Sequence, residues 1–101
     1  MAIAELSIVP IGTGSTSLSS YVAACLEVLE DSGLTHEVHG MGTIIEGDLR
    51  ELFEVILKMH EVPFKAGALR VLTSIKIDDR RDKEASARSK VEAVLAKEPK
   101  A

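Results

Sequence analysis

The chain has 101 residues, enough for one domain with a modest core. At 46% hydrophobic and 28% charged, its composition is that of an ordinary soluble globular protein. A net charge of −4 and only three aromatic residues, Tyr21, Phe53 and Phe64, argue against a phosphate-backbone binder and against stacking platforms for single-stranded nucleic acid.

Residues 2–9 alternate and are rich in Ile, Leu and Val, which predicts a strand. It runs through Pro10 into Gly12-Thr13-Gly14-Ser15, where two glycines permit positive φ and the backbone can approach a ligand closely. The competing reading is a plain strand-to-helix loop whose serines cap the helix. Leu18, Val22, Leu26 and Leu29 predict a helix over 17–32, with Gly33 placed for a left-handed cap.

A short strand over 35–39, a tight turn at Gly40-Met41-Gly42 and a third strand over 43–46 follow. Asp48 with Glu51 gives a capping-box pattern for a second helix running to about His60, with Leu49, Leu52, Phe53, Ile56 and Leu57 inward. His60 and Glu61 are expected to end this helix, and Pro63 and Gly67 to punctuate the loop after it. Residues 69–77 predict a fourth strand and 80–97 a last, mostly polar helix.

This order is the split βαβ pattern of a ferredoxin-like fold. We therefore expect an α+β domain over 1–98, a βαββαβ antiparallel sheet with an extra C-terminal helix, and a short tail over 99–101. The helices cover one sheet face. The other face keeps Ile3, Val9 and Leu72 among Glu5, Ser7 and Lys76, too apolar to stay wholly wet, so a second subunit is expected there.

Charge is unevenly placed. Residues 1–75 hold 4 Lys/Arg and 10 Asp/Glu, whereas 76–101 hold 8 and 6, which reads as a solvated helix face rather than a basic arm. Cys25 is alone, so no disulfide framework exists, and its apolar neighbours make it a buried small hydrophobe. No basic-then-apolar leader opens the chain and no apolar run reaches 18 residues, so a cytoplasmic protein without membrane contact is expected.

Several metal and catalytic patterns fail. His36 and His39 are spaced i, i+3 on a strand and point to opposite faces, so they do not form a metal pair. Asp78-Asp79-Arg80-Arg81-Asp82 reads as a salt-bridged turn rather than a cation site. Gly12 and Gly14 complete neither a Walker loop nor a dinucleotide fingerprint. No nucleophile–base pair or metal set is defensible, so no catalytic residue and no cofactor are assigned.

The ordered segments Glu5-Leu6-Ser7-Ile8-Val9-Pro10-Ile11-Gly12-Thr13, Met41-Gly42-Thr43-Ile44-Ile45-Glu46-Gly47, Met59-His60-Glu61 and Arg70 to Arg80 cover nearly the whole chain. Together they resemble the small thiamine-binding protein family, related to proteins that bind thiamine and its hydroxymethylpyrimidine half. The resemblance implies a ferredoxin-like subunit, a dimer of dimers, and reversible binding of thiamine or its pyrimidine moiety without catalysis.

Thiamine joins an aminopyrimidine to a cationic thiazolium. The cation calls for a carboxylate, the aminopyrimidine for donors and acceptors, and the ring faces for apolar side chains. Glu5, Ser7, Pro10, Met41, Thr43 and Glu46 offer that mixture, and Gly12 the close backbone approach. Thr43 and Glu46 point oppositely on a regular strand, so either a bulge intervenes near Gly42 or one of them is structural, Glu46 by capping the following helix. The alternatives are an enzyme or anion-binding protein using the Gly12–Gly14 junction for a phosphorylated metabolite, and a purely structural or regulatory oligomer.

Overall fold

The alternation along the first strand sets the architecture of the computed structural model, which describes residues 1–99. Of the expected tail, Lys100 and Ala101 lie outside the described residues. The elements are β1 (Ala2–Ile11), α1 (Ser19–Ser32), β2 (Thr35–His39), β3 (Gly42–Gly47), α2 (Leu49–Lys65), β4 (Arg70–Asp79) and α3 (Ala87–Ala96). The four strands form one antiparallel sheet in the order β2-β3-β1-β4. This is the expected α+β ferredoxin-like fold with an added C-terminal helix.

Ala2, Ala4 and Leu6 of β1 and Ile45 of β3 face one side of the sheet, where Cys25 and Leu29 of α1 and Leu52, Val55, Ile56 and Met59 of α2 cover them. Leu29, Ile45 and Leu52 are completely buried. Truncating any of them to Ala is a cavity-forming change of about 2–5 kcal/mol. The small size of this core follows from a sheet packed by α1 and α2 on one face only.

β1 and β4 run two residues further than the alternation predicts. Their ladder is unbroken from Ala2–Asp79 to Ile11–Arg70, so each strand supports the other's end. Pro10 fits inside β1 because β3 pairs with it only as far as Leu6, and no second ladder is interrupted there. Gly33 caps α1 in the left-handed conformation as expected, at φ 72°. The helix starts at Ser19 rather than residue 17, and Leu18 occupies the cap position without a side-chain bond, so no serine caps it.

Three expectations about α2 and one about α3 are corrected. Pro63 does not end α2, which continues to Lys65, and Pro63 is a fully buried core residue. Asp48 stands at the cap position of α2 but makes no side-chain capping bond, so the capping box with Glu51 does not form. The face that α2 buries is Leu52, Val55, Ile56, Met59 and Pro63, whereas Phe53 and Leu57 are half-exposed or more.

The last helix begins at Ala87, not at residue 80. Arg80 pairs with Asp82, and Arg81 with Asp79, tying 79–82 into a turn. Ser86 and Ser89 then form a reciprocal capping box that starts α3. α3 buries no residue and is not on the α1/α2 side. It is tied to residues that share the open sheet face with Ile3 and Lys76.

Candidate functional site

A cleft of about 180 Å³ opens between α1 and the β2–β3 turn. Val9 and Thr43 of the sheet, Val22 and Leu26 of α1, and His39 and Met41 beside the turn shape it. Its walls are largely apolar because the alternation that fills the core continues past the end of α1's cover.

Thr43 is the polar side chain buried in this region, at 8% exposure. Register places it opposite Leu6 of β1 and Val38 of β2, on the helix side. Among the described residues, no buried side-chain oxygen or nitrogen is left without a partner except where it reaches solvent. Thr43 bonds no described side chain or backbone group through its hydroxyl, so that hydroxyl opens onto the cleft. Gly42 makes the approach possible: a Cβ there would stand 2.9 Å from the Leu6 carbonyl oxygen.

A second, shallower hollow of about 120 Å³ lies on the open sheet face and is lined by Glu5, Ser7, Met41, Ser74 and Lys76, among others. Glu5 stands directly across the β1–β4 ladder from Lys76, so a cation next to this carboxylate also meets an ammonium. Ser7 and Met41 border both hollows. Met41 sits at the tip of the β2–β3 turn, 93% exposed, and forms the lip between them.

The sequence-derived candidates therefore separate. Ser7, Met41 and Thr43 come together at the cleft, and Glu5 joins Ser7 and Met41 on the open face. Pro10 is buried and does not line the cleft. Gly12 and Gly14 take the positive φ the sequence requires, 80° and 78°, but their exposed loop lines neither hollow. Thr13 and Ser15 spend their side chains on bonds within that loop.

Glu46 resolves the parity conflict with Thr43. No bulge intervenes, since the β1–β3 register is continuous from Ala2–Gly47 to Leu6–Thr43. Glu46 therefore faces the open side, opposite Ile3, and its carboxylate accepts a hydrogen bond from the Ala87 backbone N–H in the first turn of α3. It caps the last helix rather than the one that follows it in sequence. Asp78 on the same face takes an ion pair from Lys90 of α3.

Sequence reasoning missed several cleft residues. His39, Val38 and Met59 line it. Met59 lies two residues past Leu57, the last residue taken as the inward face of α2. His60 does not close that helix. Its Nδ1 lies 2.7 Å from the Thr73 hydroxyl of β4, and Phe64 packs edge-on against its ring.

Titratable groups near the cleft are few. Burial pushes the Cys25 thiol above its ordinary value, which keeps it protonated and unreactive. The Arg81 guanidinium beside Asp79, and Arg80 beside Asp82, hold those carboxyls below the usual range. Among the described residues, no three His, Cys, Asp or Glu side chains gather as a metal set. No helix among them is long and apolar enough to cross a membrane.

Comparison with known proteins covers almost the whole domain. The family described as thiamine-binding protein matches residues 4–95. The UPF0045 protein of Methanothermobacter thermautotrophicus is 51% identical over 98 residues, covering 96% of this chain and 99% of its own. The UPF0045 protein YqgV of Bacillus subtilis is 47% identical, covering 93% and 94%. A crystal structure of a hypothetical protein from Methanocaldococcus jannaschii superposes with a TM-score of 0.84 at 38% identity, covering 93% of this chain and 95% of that one.

Proposed function

Because the chain belongs to the thiamine-binding protein family, we infer that it binds thiamine or its hydroxymethylpyrimidine half reversibly and without catalysis. The observation that supports this reading most directly is the Thr43 hydroxyl, buried yet open to an apolar cleft. An aminopyrimidine ring suits such a place: flat, apolar on its faces, and polar at its edge.

The cleft volume of about 180 Å³ lies below the roughly 300 Å³ at the lower end of small-molecule pockets. One ring fills it, and the thiazolium stays outside, past Met41 and toward Glu5. Its cover comes from a second subunit on the open sheet face, in a dimer of dimers. The protein works in the cytoplasm as a carrier or sensor of its ligand.

Calorimetric titration with thiamine, the pyrimidine half and the diphosphate ester tests the reading. Thr43→Val should weaken binding of thiamine and of the pyrimidine half alike, by about tenfold, because a buried hydrogen bond is lost from both. Glu5→Gln should weaken thiamine alone. Heat from the diphosphate ester only, unaffected by Thr43→Val, would move the site to the Gly12–Gly14 loop.

A further inference from the structure

β1 carries unpaired backbone groups at the cleft. Its ladder with β3 ends at Leu6–Thr43, whereas its ladder with β4 runs on to Ile11–Arg70. The Leu6 carbonyl oxygen lies 2.9 Å from the place where a Cβ on Gly42 would stand, so it points toward β3. In an antiparallel strand the N–H and C=O of one residue point to the same side, and that side alternates along the chain. Ser7 and Val9 therefore turn their backbone groups to Ser74 and Leu72 of β4, and Ile8 turns its own to the β3 side. Continued register would set Met41 opposite Ile8, but β3 begins at Gly42 and Met41 stands out at the tip of the turn. Among the described residues, no backbone group bonds the Ile8 N–H or C=O on that side. Ile8 lines the cleft, so this donor and this acceptor open into it.

The next residue to face this side is Pro10, which has no N–H. The strip beyond Leu6 thus offers a single donor, the Ile8 N–H, beside the carbonyl of the same residue. An added strand needs a donor at every second residue and finds none at Pro10. A small ring needs only one donor and one acceptor side by side, and the cleft of about 180 Å³ admits one ring.

We propose that the Ile8 N–H and C=O read the amino edge of the ligand's pyrimidine and make the cleft select an aminopyrimidine over its oxo counterpart. This assignment rests on the reading that the cleft takes thiamine or its pyrimidine half. The amino edge sets a ring nitrogen next to an exocyclic amine. The ring nitrogen accepts from the Ile8 N–H, and the amine donates to the Ile8 carbonyl. A ring with an oxo group in place of the amine, in its lactam form, carries an N–H and a carbonyl at those two positions. Donor then meets donor and acceptor meets acceptor. A hydroxyl such as that of Thr43 can turn to suit either ring, because it both donates and accepts. The backbone pair of Ile8 cannot exchange its roles, so the selection lies with Ile8 and not with Thr43.

Two measurements on the unaltered full chain test this. In calorimetric titration, oxythiamine, which carries the oxo group in place of the amine, should bind about a hundredfold or more weakly than thiamine. In amide exchange followed by nuclear magnetic resonance, the Ile8 amide should exchange quickly in the free protein, although β1 is central to the sheet, and slow on addition of thiamine. The amides of Ser7 and Val9, paired with β4, should be slow in both states. A variant adds a third readout. Ile8→Pro removes the donor on the side where no ladder bond is lost, and should lower the preference for thiamine over oxythiamine about tenfold, whereas a misfolded cleft would weaken both ligands alike. Thiamine binding that leaves the Ile8 amide in fast exchange, or oxythiamine binding as tightly as thiamine, would overturn the assignment to Ile8 and leave the binding reading standing. No heat from either thiamine or the pyrimidine half would overturn both.

Discussion

The Cys25 thiol lies 3.5 Å from the Met59 carbonyl oxygen and donates to it. That carbonyl is the acceptor a regular helix would pair with the N–H of residue 63, and residue 63 is a proline. A cysteine on α1 thus satisfies the group that a proline on α2 leaves free, and the two helices are joined where α2 would otherwise break.

Removing this donor should destabilise the fold by an amount that depends on Pro63. Cys25→Ala should cost about 1–2 kcal/mol in denaturant unfolding, and about 0.5 kcal/mol or more less in a Pro63→Ala background, where the helix regains its own bond. Equal costs in both backgrounds would show that Cys25 acts by volume alone. The thiol also carries a pH signature. Its value in the fold is raised above the ordinary 9.0, so the unfolded chain loses this proton first. Its contribution is therefore complete below pH 9.0 and declines as the pH rises beyond it. Cys25→Ser should flatten that alkaline decline.

Gly42→Ala should disturb both the sheet and the cleft. Its Cβ would meet the Leu6 carbonyl oxygen, a backbone atom that cannot swing aside. We expect a loss of about 1–3 kcal/mol by thermal unfolding. Ligand affinity should fall together with it, because β3 must move away from β1 beside Thr43.

Glu46→Gln should loosen α3 and leave the ligand site intact. The carboxylate sits at the positive end of a helix, where a negative charge contributes about 0.3–1 kcal/mol. Amide exchange over residues 87–96 should accelerate while exchange in β1 and β3 stays unchanged. A fall in thiamine affinity without faster exchange in α3 would return Glu46 to the site.

Leu72→Asp should weaken association through the open sheet face. Leu72 is 57% exposed there, and burying an unpaired charge against a second subunit is unfavourable. Light scattering should show the largest assembly replaced by a smaller one. An unchanged mass would show that this face stays in solvent.

The element order was readable because β1, β3 and β4 alternate cleanly and Gly33 marks the end of α1. The extent of α2 was not, because Pro63 ends helices on local grounds and only a distant cysteine makes it tolerable. Phe53 and Leu57 carry the helical spacing of core residues, yet they lie on the flank of α2. Sequence periodicity reports an apolar stripe but not which neighbour covers it. Ser7, Met41 and Thr43, singled out by the family-like segments and by their chemistry, line one cleft. The role of Glu46 was not legible, since its partner, Ala87, is a backbone group far along the chain with no side-chain signature.

β1 is central to the sheet, and its full-length partner is the last strand to be made. The longest ladder of the molecule therefore cannot close until the chain has been synthesised through Asp79. Contacts this distant in sequence slow folding, because the intervening chain must be ordered before they form. Until then β1 exposes Ile3, Ile8 and Val9 with an unpaired edge, although it is made before the other strands of the sheet. The hazard of misassociation therefore falls in the interval between the making of β1 and the making of β4.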